Sequence, residues 1–180
     1  MENLDLEKLR FPVGHFEKPA LFTKEIISEF IATIAAFPEK IKAEVSLLNE
    51  EQLNTPYRNE GWTIRQVVHH CADSHMNSII RFKLALTEDS PIIKPYFENL
   101  WANLADSKMA IEPSLLLLEG LHQRWTILLN SLTEEELTKT FIHPEHGMKF
   151  QLKEIIGLYA WHCNHHLAHI TELKSRKGWN

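Results

Sequence analysis

Residues Gln151 to Lys177 have the spacing of one long helix, and Gly178 is placed to end it. Each residue of an α-helix advances about 100° around the axis. On that wheel His162, His165, His166 and His169 fall within an arc of about 100°. Ile155, Leu158 and Leu173 occupy the same arc. An apolar stripe turns toward a core, so the chain must fold in a way that buries several imidazoles side by side. Buried polar groups without partners are costly. One bound cation would satisfy several rings together, and an i, i+4 pair such as His162 and His166 can chelate a single ion.

The rest of the chain reads as partners for this helix. Residues 1–20 hold Pro12, Gly14 and Pro19 and are expected to form an extended N-terminal arm. A helical pattern follows from Thr23 to Leu48, with Thr23 as N-cap and Pro38 expected to kink or divide it. Thr63 caps a second long helix that reaches Thr87. A short helix is expected from Phe97 to Leu104. The stretch "IEPSLLLLEGLHQRWTILLNSL" makes a third long helix with Pro113 in its first turn. Residues 138–150 form a loop or small hairpin. No segment sustains the period-two alternation of a strand. Four long helices with short extra ones predict an all-α fold, a four-helix bundle in a single domain over residues 1–180. A faint internal echo supports a paired arrangement. "SLLNEEQLNTP" at 46–56 resembles "NSLTEEELTKT" at 130–140, and each precedes a helix rich in histidine.

Histidine is the anomalous residue, with 11 copies. Seven lie in the two short segments 69–75 and 162–169. On the second long helix the apolar stripe comprises Ile64, Val68, Cys71, Ile79, Phe82 and Leu86, with His75 among them as a core histidine. His70 shares another face with Gln66, Asp73, Ser74, Asn77 and Arg81. That face is expected either to be solvated or to line a polar cavity at one end of the bundle. His69 points about 100° away from His70, so the two do not converge on one ion. The neighbours favour His70: Asp73 is one turn away and could orient it, and Asn77 and Arg81 could hold a substrate oxygen or carboxylate. The expected centre is therefore His70, His162 and His166 around one metal, with a position open to water or ligand. His15, His143 and His146 fall in loops and need no role.

Other chemistries find less support. The net charge of −5 shows no basic footprint for nucleic acid. No continuous apolar run is long enough for a membrane span, and residues 1–14 lack a secretory pattern; a cytoplasmic setting is the expectation. Two cysteines, Cys71 and Cys163, are too few for a disulfide framework and read as small buried hydrophobes. Cys163 stands where the glutamate of an H-E-x-x-H zinc motif would be. One E-x-x-H match, Glu119 to His122, is too little for a carboxylate-bridged pair of metals.

At "GWTIRQVVHHCADSHMNSIIRFKLALTE" and "GLYAWHCNHHLAHITEL" the sequence resembles the YfiT branch of the DinB superfamily. "LNTPYRNEGWT" and "LHQRWTILLNSLT" fit the same pattern, so the resemblance spans nearly the whole chain. It implies a four-helix bundle with a metal held by three histidines, here His70, His162 and His166. It also implies a homodimer, a cytoplasmic location, zinc or nickel as the divalent metal, and activity as a metal-dependent hydrolase on a small-molecule substrate. Cys71 stands where leucine is expected in close relatives. More distant members are thiol S-transferases that activate bacillithiol, mycothiol or glutathione.

Three functional readings follow. A hydrolase would need a group to move protons, and Asp73 or His169 is the candidate. A thiol S-transferase would use a low-molecular-weight thiol deprotonated by the metal itself, with Arg81 on a carboxylate of the thiol. A non-catalytic module would use the metal for folding alone.

Overall fold

Caps in the sequence become helix starts in the structure. A computed structural model describes residues 6–145 and 147–179. Its elements in order are α1 (Leu6–Arg10), α2 (Lys24–Val45), α3 (Glu50–Leu53), α4 (Ile64–Thr87), α5 (Glu98–Trp101), α6 (Glu112–Asn130), β1 (Thr140–His143), β2 (Met148–Gln151) and α7 (Leu152–Lys177). Thr63 Oγ1 accepts the Gln66 N–H at 3.2 Å, and the Gln66 side chain accepts the Thr63 N–H at 3.0 Å. This reciprocal box starts α4. Gln151 and Glu154 form the equivalent box at α7, and Gly178 ends that helix in the left-handed conformation at φ 65°.

The four long helices form the bundle. α2 packs on α6 and α7, and α4 packs on the same two, so α2 and α4 lie across the core from each other. Ile27, Ile31, Ile34, Phe37, Ile41 and Val45 of α2 are all buried at helical spacing. They meet Leu118, Trp125 and Leu129 of α6 and Ile156, Ile170 and Leu173 of α7 in one continuous core.

The echoed segments adopt matching structures. α3 after Asn49 corresponds to the single 3-10 turn at 136–138 after Thr133. Ile64 N–H then donates to Thr55 O, and Leu152 N–H donates to Lys139 O. Each echo thus ends in an antiparallel pairing that launches a helix carrying inward histidines.

Three local expectations change. The N-terminal arm is not wholly extended, because residues 6–10 form α1. From there it lies along α7: Trp161 Nε1 donates to Gly14 O at 2.9 Å, and Lys18 pairs with Glu154. Pro38 does not divide α2, which runs unbroken from Lys24 to Val45. The short helix closes after Trp101, and 3-10-like bonds carry the chain on to Leu104. Residues 138–150 do contain a hairpin, β1 paired with β2. His146 lies outside the described residues.

Candidate metal centre

His70 comes from the second turn of α4, and His162 and His166 come from α7, one turn apart. One ring nitrogen from each lies within 4.8 Å of the others. The Nε2 atoms of His70 and His162 are 3.3 Å apart. A tetrahedral site with zinc–nitrogen bonds of about 2.0–2.1 Å has an edge of roughly that length. The separations and the all-imidazole donor set therefore fit a zinc-sized cation.

Burial sets the electrostatics. It lowers the pKa of His70 to about 3, and the neighbouring His165 adds to the effect. His162 and His166 are also held well below the usual imidazole range, first by burial and then by neighbouring imidazoles. At neutral pH all three rings are uncharged, and an uncharged imidazole is the form that ligates a metal. They open onto a cavity of about 680 Å³. Trp62 covers the site, with its ring centroid 4.5 Å from that of His70.

His169 lines the cavity, but both of its nitrogens are occupied. Nε2 donates to Arg10 O at 3.1 Å, and Nδ1 faces His166 Nδ1 at 3.4 Å. Tyr57 stacks on the ring at 3.9 Å. These contacts make His169 a buttress and leave it poorly placed to shuttle protons. Asp73 does not orient His70. Among the described residues no hydrogen bond joins them, Asp73 is not on the cavity wall, and burial and Asp106 push its pKa up to about 6. Asn77 also misses the cavity, because its side-chain amide turns back to the Asp73 carbonyl at 2.9 Å. Arg81 does reach the wall. It donates to Lys94 O at 3.3 Å while its Nε is buried without a partner.

Several participants carried no role in the sequence reading. His165 lines the cavity with its Nδ1 buried and unpartnered, and Trp161 stacks on it at 4.4 Å. Arg58, from the loop before α4, brings a second guanidinium with an unpartnered Nε. His75 is buried, as its position on the apolar stripe suggested, and it bonds to both His162 and His122. His122 was detectable as a histidine on the α6 stripe of Leu115, Leu118, Trp125 and Leu129. His69 turns away to Ser114 and the Met109 carbonyl. Cys71 and Cys163 are buried, and burial raises both thiols, as expected of packing residues.

Comparison with known proteins places the fold in a family. The family model of the DinB superfamily matches residues 34–170. A Bacillus mycoides protein (strain KBAB4), provisionally named a metal-dependent hydrolase, is 52% identical over 174 residues, covering 97% of this chain and all of its own. A Bacillus cereus protein (strain 03BB102) with the same provisional name is 53% identical over the same length, with the same coverage. The solved structure of YfiT from Bacillus subtilis superimposes with a TM-score of 0.93 at 48% identity, covering 96% of this chain and 99% of that one. YfiT is described there as a metal-dependent hydrolase, again provisionally, with an unusual four-helix bundle topology. With this bundle, this cluster of histidines and these relatives, the chain belongs to the DinB superfamily.

Proposed function

We propose that the chain is a metal-dependent hydrolase of a small-molecule substrate. His70, His162 and His166 hold one divalent cation, zinc or nickel, and a remaining coordination position faces the cavity. The observation that carries this reading is the convergence of three uncharged imidazoles, His70 and His166 buried and His162 half-buried, at one wall of a cavity. The names of the relatives support the same class. A cation held there supplies Lewis acidity and lowers the pKa of a coordinated water or thiol toward neutrality.

The protein's own groups bind and orient. Arg58 and Arg81 offer guanidinium N–H groups to an anionic part of the substrate. Trp62 shields one side of the histidines from water. With Asp73 off the cavity wall and His169 fully bonded, we assign the proton exchange to His165, a cavity-lining imidazole whose Nδ1 has no hydrogen-bond partner. The test is metal analysis of untagged protein against His162→Ala, followed by turnover of ester and amide substrates. About one equivalent of metal in the wild type and almost none in the variant is expected. A metal-free wild type refutes the reading.

A second reading is a thiol S-transferase. It is favoured by the two uncommitted arginine nitrogens, which suit the carboxylates of a thiol cofactor, and by chemistry that needs no strong protein base. Loss of free thiol on incubation with an aryl halide and the metal-loaded protein separates it from hydrolysis.

A further inference from the structure

His162 and His166 each turn a second nitrogen away from the centre, and each of those nitrogens is bonded to another histidine. His162 Nδ1 lies 3.1 Å from His75 Nε2, His75 Nδ1 lies 2.7 Å from His122 Nε2, and His122 Nδ1 lies 2.6 Å from Ile34 O. On the other side His166 Nδ1 lies 3.4 Å from His169 Nδ1, and His169 Nε2 lies 3.1 Å from Arg10 O. Both rows of imidazoles therefore end on a main-chain carbonyl.

Both carbonyls are ones that local structure leaves free. Ile34 would normally accept from the residue four positions on, but that residue is Pro38, which has no N–H. Arg10 ends α1, where the last carbonyls have no partner within the helix.

A carbonyl oxygen only accepts, and an uncharged imidazole carries one N–H and one bare nitrogen. The Ile34 carbonyl thus demands the proton of His122 on Nδ1, which leaves Nε2 bare. That bare nitrogen demands the proton of His75 on Nδ1, and His75 Nε2 in turn demands the proton of His162 on Nδ1. The Arg10 carbonyl places the proton of His169 on Nε2, so the proton of His166 sits on Nδ1. Each row has one consistent direction, and each ends with a bare Nε2 on a ligand.

We infer that His75 and His122 on one side, and His169 on the other, are positioning residues that lock His162 and His166 in the tautomer whose bare Nε2 receives the metal. The inference rests on the three-histidine reading of the centre and adds what prepares it. No carboxylate takes part; main-chain carbonyls do the work that an acidic partner does at other histidine–metal sites. His70 is not held in this way. Its Nε2 faces the bare Nε2 of His162 at 3.3 Å. In the metal-free protein it therefore carries its proton there, and it is the ligand whose proton must move to Nδ1 when metal enters.

Long-range ¹H–¹⁵N NMR of the labelled full-length protein reads each tautomer directly. We expect Nδ1–H on His75, His122, His162 and His166 and Nε2–H on His169, both with EDTA and with one equivalent of zinc. His70 alone is expected to switch. Nε2–H on His162 or His166 in the metal-free protein overturns the proposal, as does metal on His166 Nδ1 at a second zinc equivalent. The metal-free spectrum decides the matter whether or not zinc binds, so its failure and that of the proposed function are distinguishable. His122→Phe keeps the volume and removes the anchor; His162 should then show Nε2–H, and zinc affinity should fall by about tenfold to hundredfold. His122→Gln, whose amide can donate to Ile34 and accept from His75, should restore the wild-type tautomer and bring affinity back to within about threefold of wild type. An unchanged His162 tautomer in His122→Phe refutes the relay.

Discussion

Mild acid should unfold this protein when no metal is bound. Burial holds His69, His70, His75, His122, His162, His165, His166 and His169 below the usual imidazole pKa. The folded-state value is about 4 for His122 and His165 and about 3 for His70 and His169. The unfolded chain titrates near 6.5. Below that pH the unfolded state binds protons that the folded state refuses, so stability falls as pH falls. The loss starts near pH 6.5 and continues down to the folded values.

Between pH 7 and 5.5 a ring that stays neutral when folded loses about 1.2 kcal/mol. If the seven rings held furthest down, all but His69, respond, the loss is about 8 kcal/mol, against a typical total stability of about 5–15 kcal/mol. Asp73 works in the opposite direction. Its folded pKa is raised to about 6, so the strain of its buried charge is relieved as pH drops through that value. Its offset over the same interval is under about 1 kcal/mol, too small to change the sign. Urea unfolding followed by circular dichroism, in EDTA at pH 7, 6.5 and 5.5, measures the trend. A free energy that changes by less than about 1 kcal/mol between pH 7 and 5.5 would refute the claim that these rings are buried and uncharged. Zinc at about a hundred times its dissociation constant should return about 2.7 kcal/mol at pH 7.

Three further outcomes are expected. Thr63→Ala removes the hydroxyl that caps α4 and should lower stability by about 1 kcal/mol in urea titrations, with zinc content unchanged. Gly157→Ala places a methyl group 3.0 Å from the Phe30 ring and 3.4 Å from that of Phe16, and should cost about 1–2 kcal/mol by the same measurement. Arg81→Gln should leave metal content and melting temperature near wild type while raising KM for an anionic substrate about tenfold or more, by loss of a charge-assisted contact; an unchanged KM would remove Arg81 from the binding wall.

Much of this architecture was legible because its signals are local. The caps at Thr23 and Thr63, Pro113 in a first turn and Gly178 after a last one each concern residues within a few positions of one another. The same is true of the stripe that carried His162 and His166 inward, since a helix wheel needs only the chain's own pitch. The face of His70 was harder. Its polar neighbours Asp73 and Asn77 share its side of α4, yet a difference of a few tens of degrees separates the cavity wall from the flank. Asp73 lies instead within electrostatic reach of Asp106, 33 residues on, and of Tyr96. The N-terminal arm shows the same limit: α1 is only five residues long, too short to be stable by itself, and part of what holds it is His169 bonding its last carbonyl.

Pro38 shows why the remaining half of the centre could not be read locally. In the sequence it is a break in a helical pattern, and its expected effect is a kink or a division of α2. The cost of the missing N–H is confined to one carbonyl, that of Ile34, and the helix continues. What happens to that carbonyl depends on α6, which crosses α2 and brings His122 within 2.6 Å of it. A buried carbonyl without a donor would be destabilising by about 1–3 kcal/mol, and so would a buried histidine without an acceptor; each satisfies the other. The histidines of α4, α6 and α7 are therefore tied into one hydrogen-bonded set. Removing a ring at the far end of a row should be felt at His162, the ligand proposed above, even though that ring lies outside the proposed site.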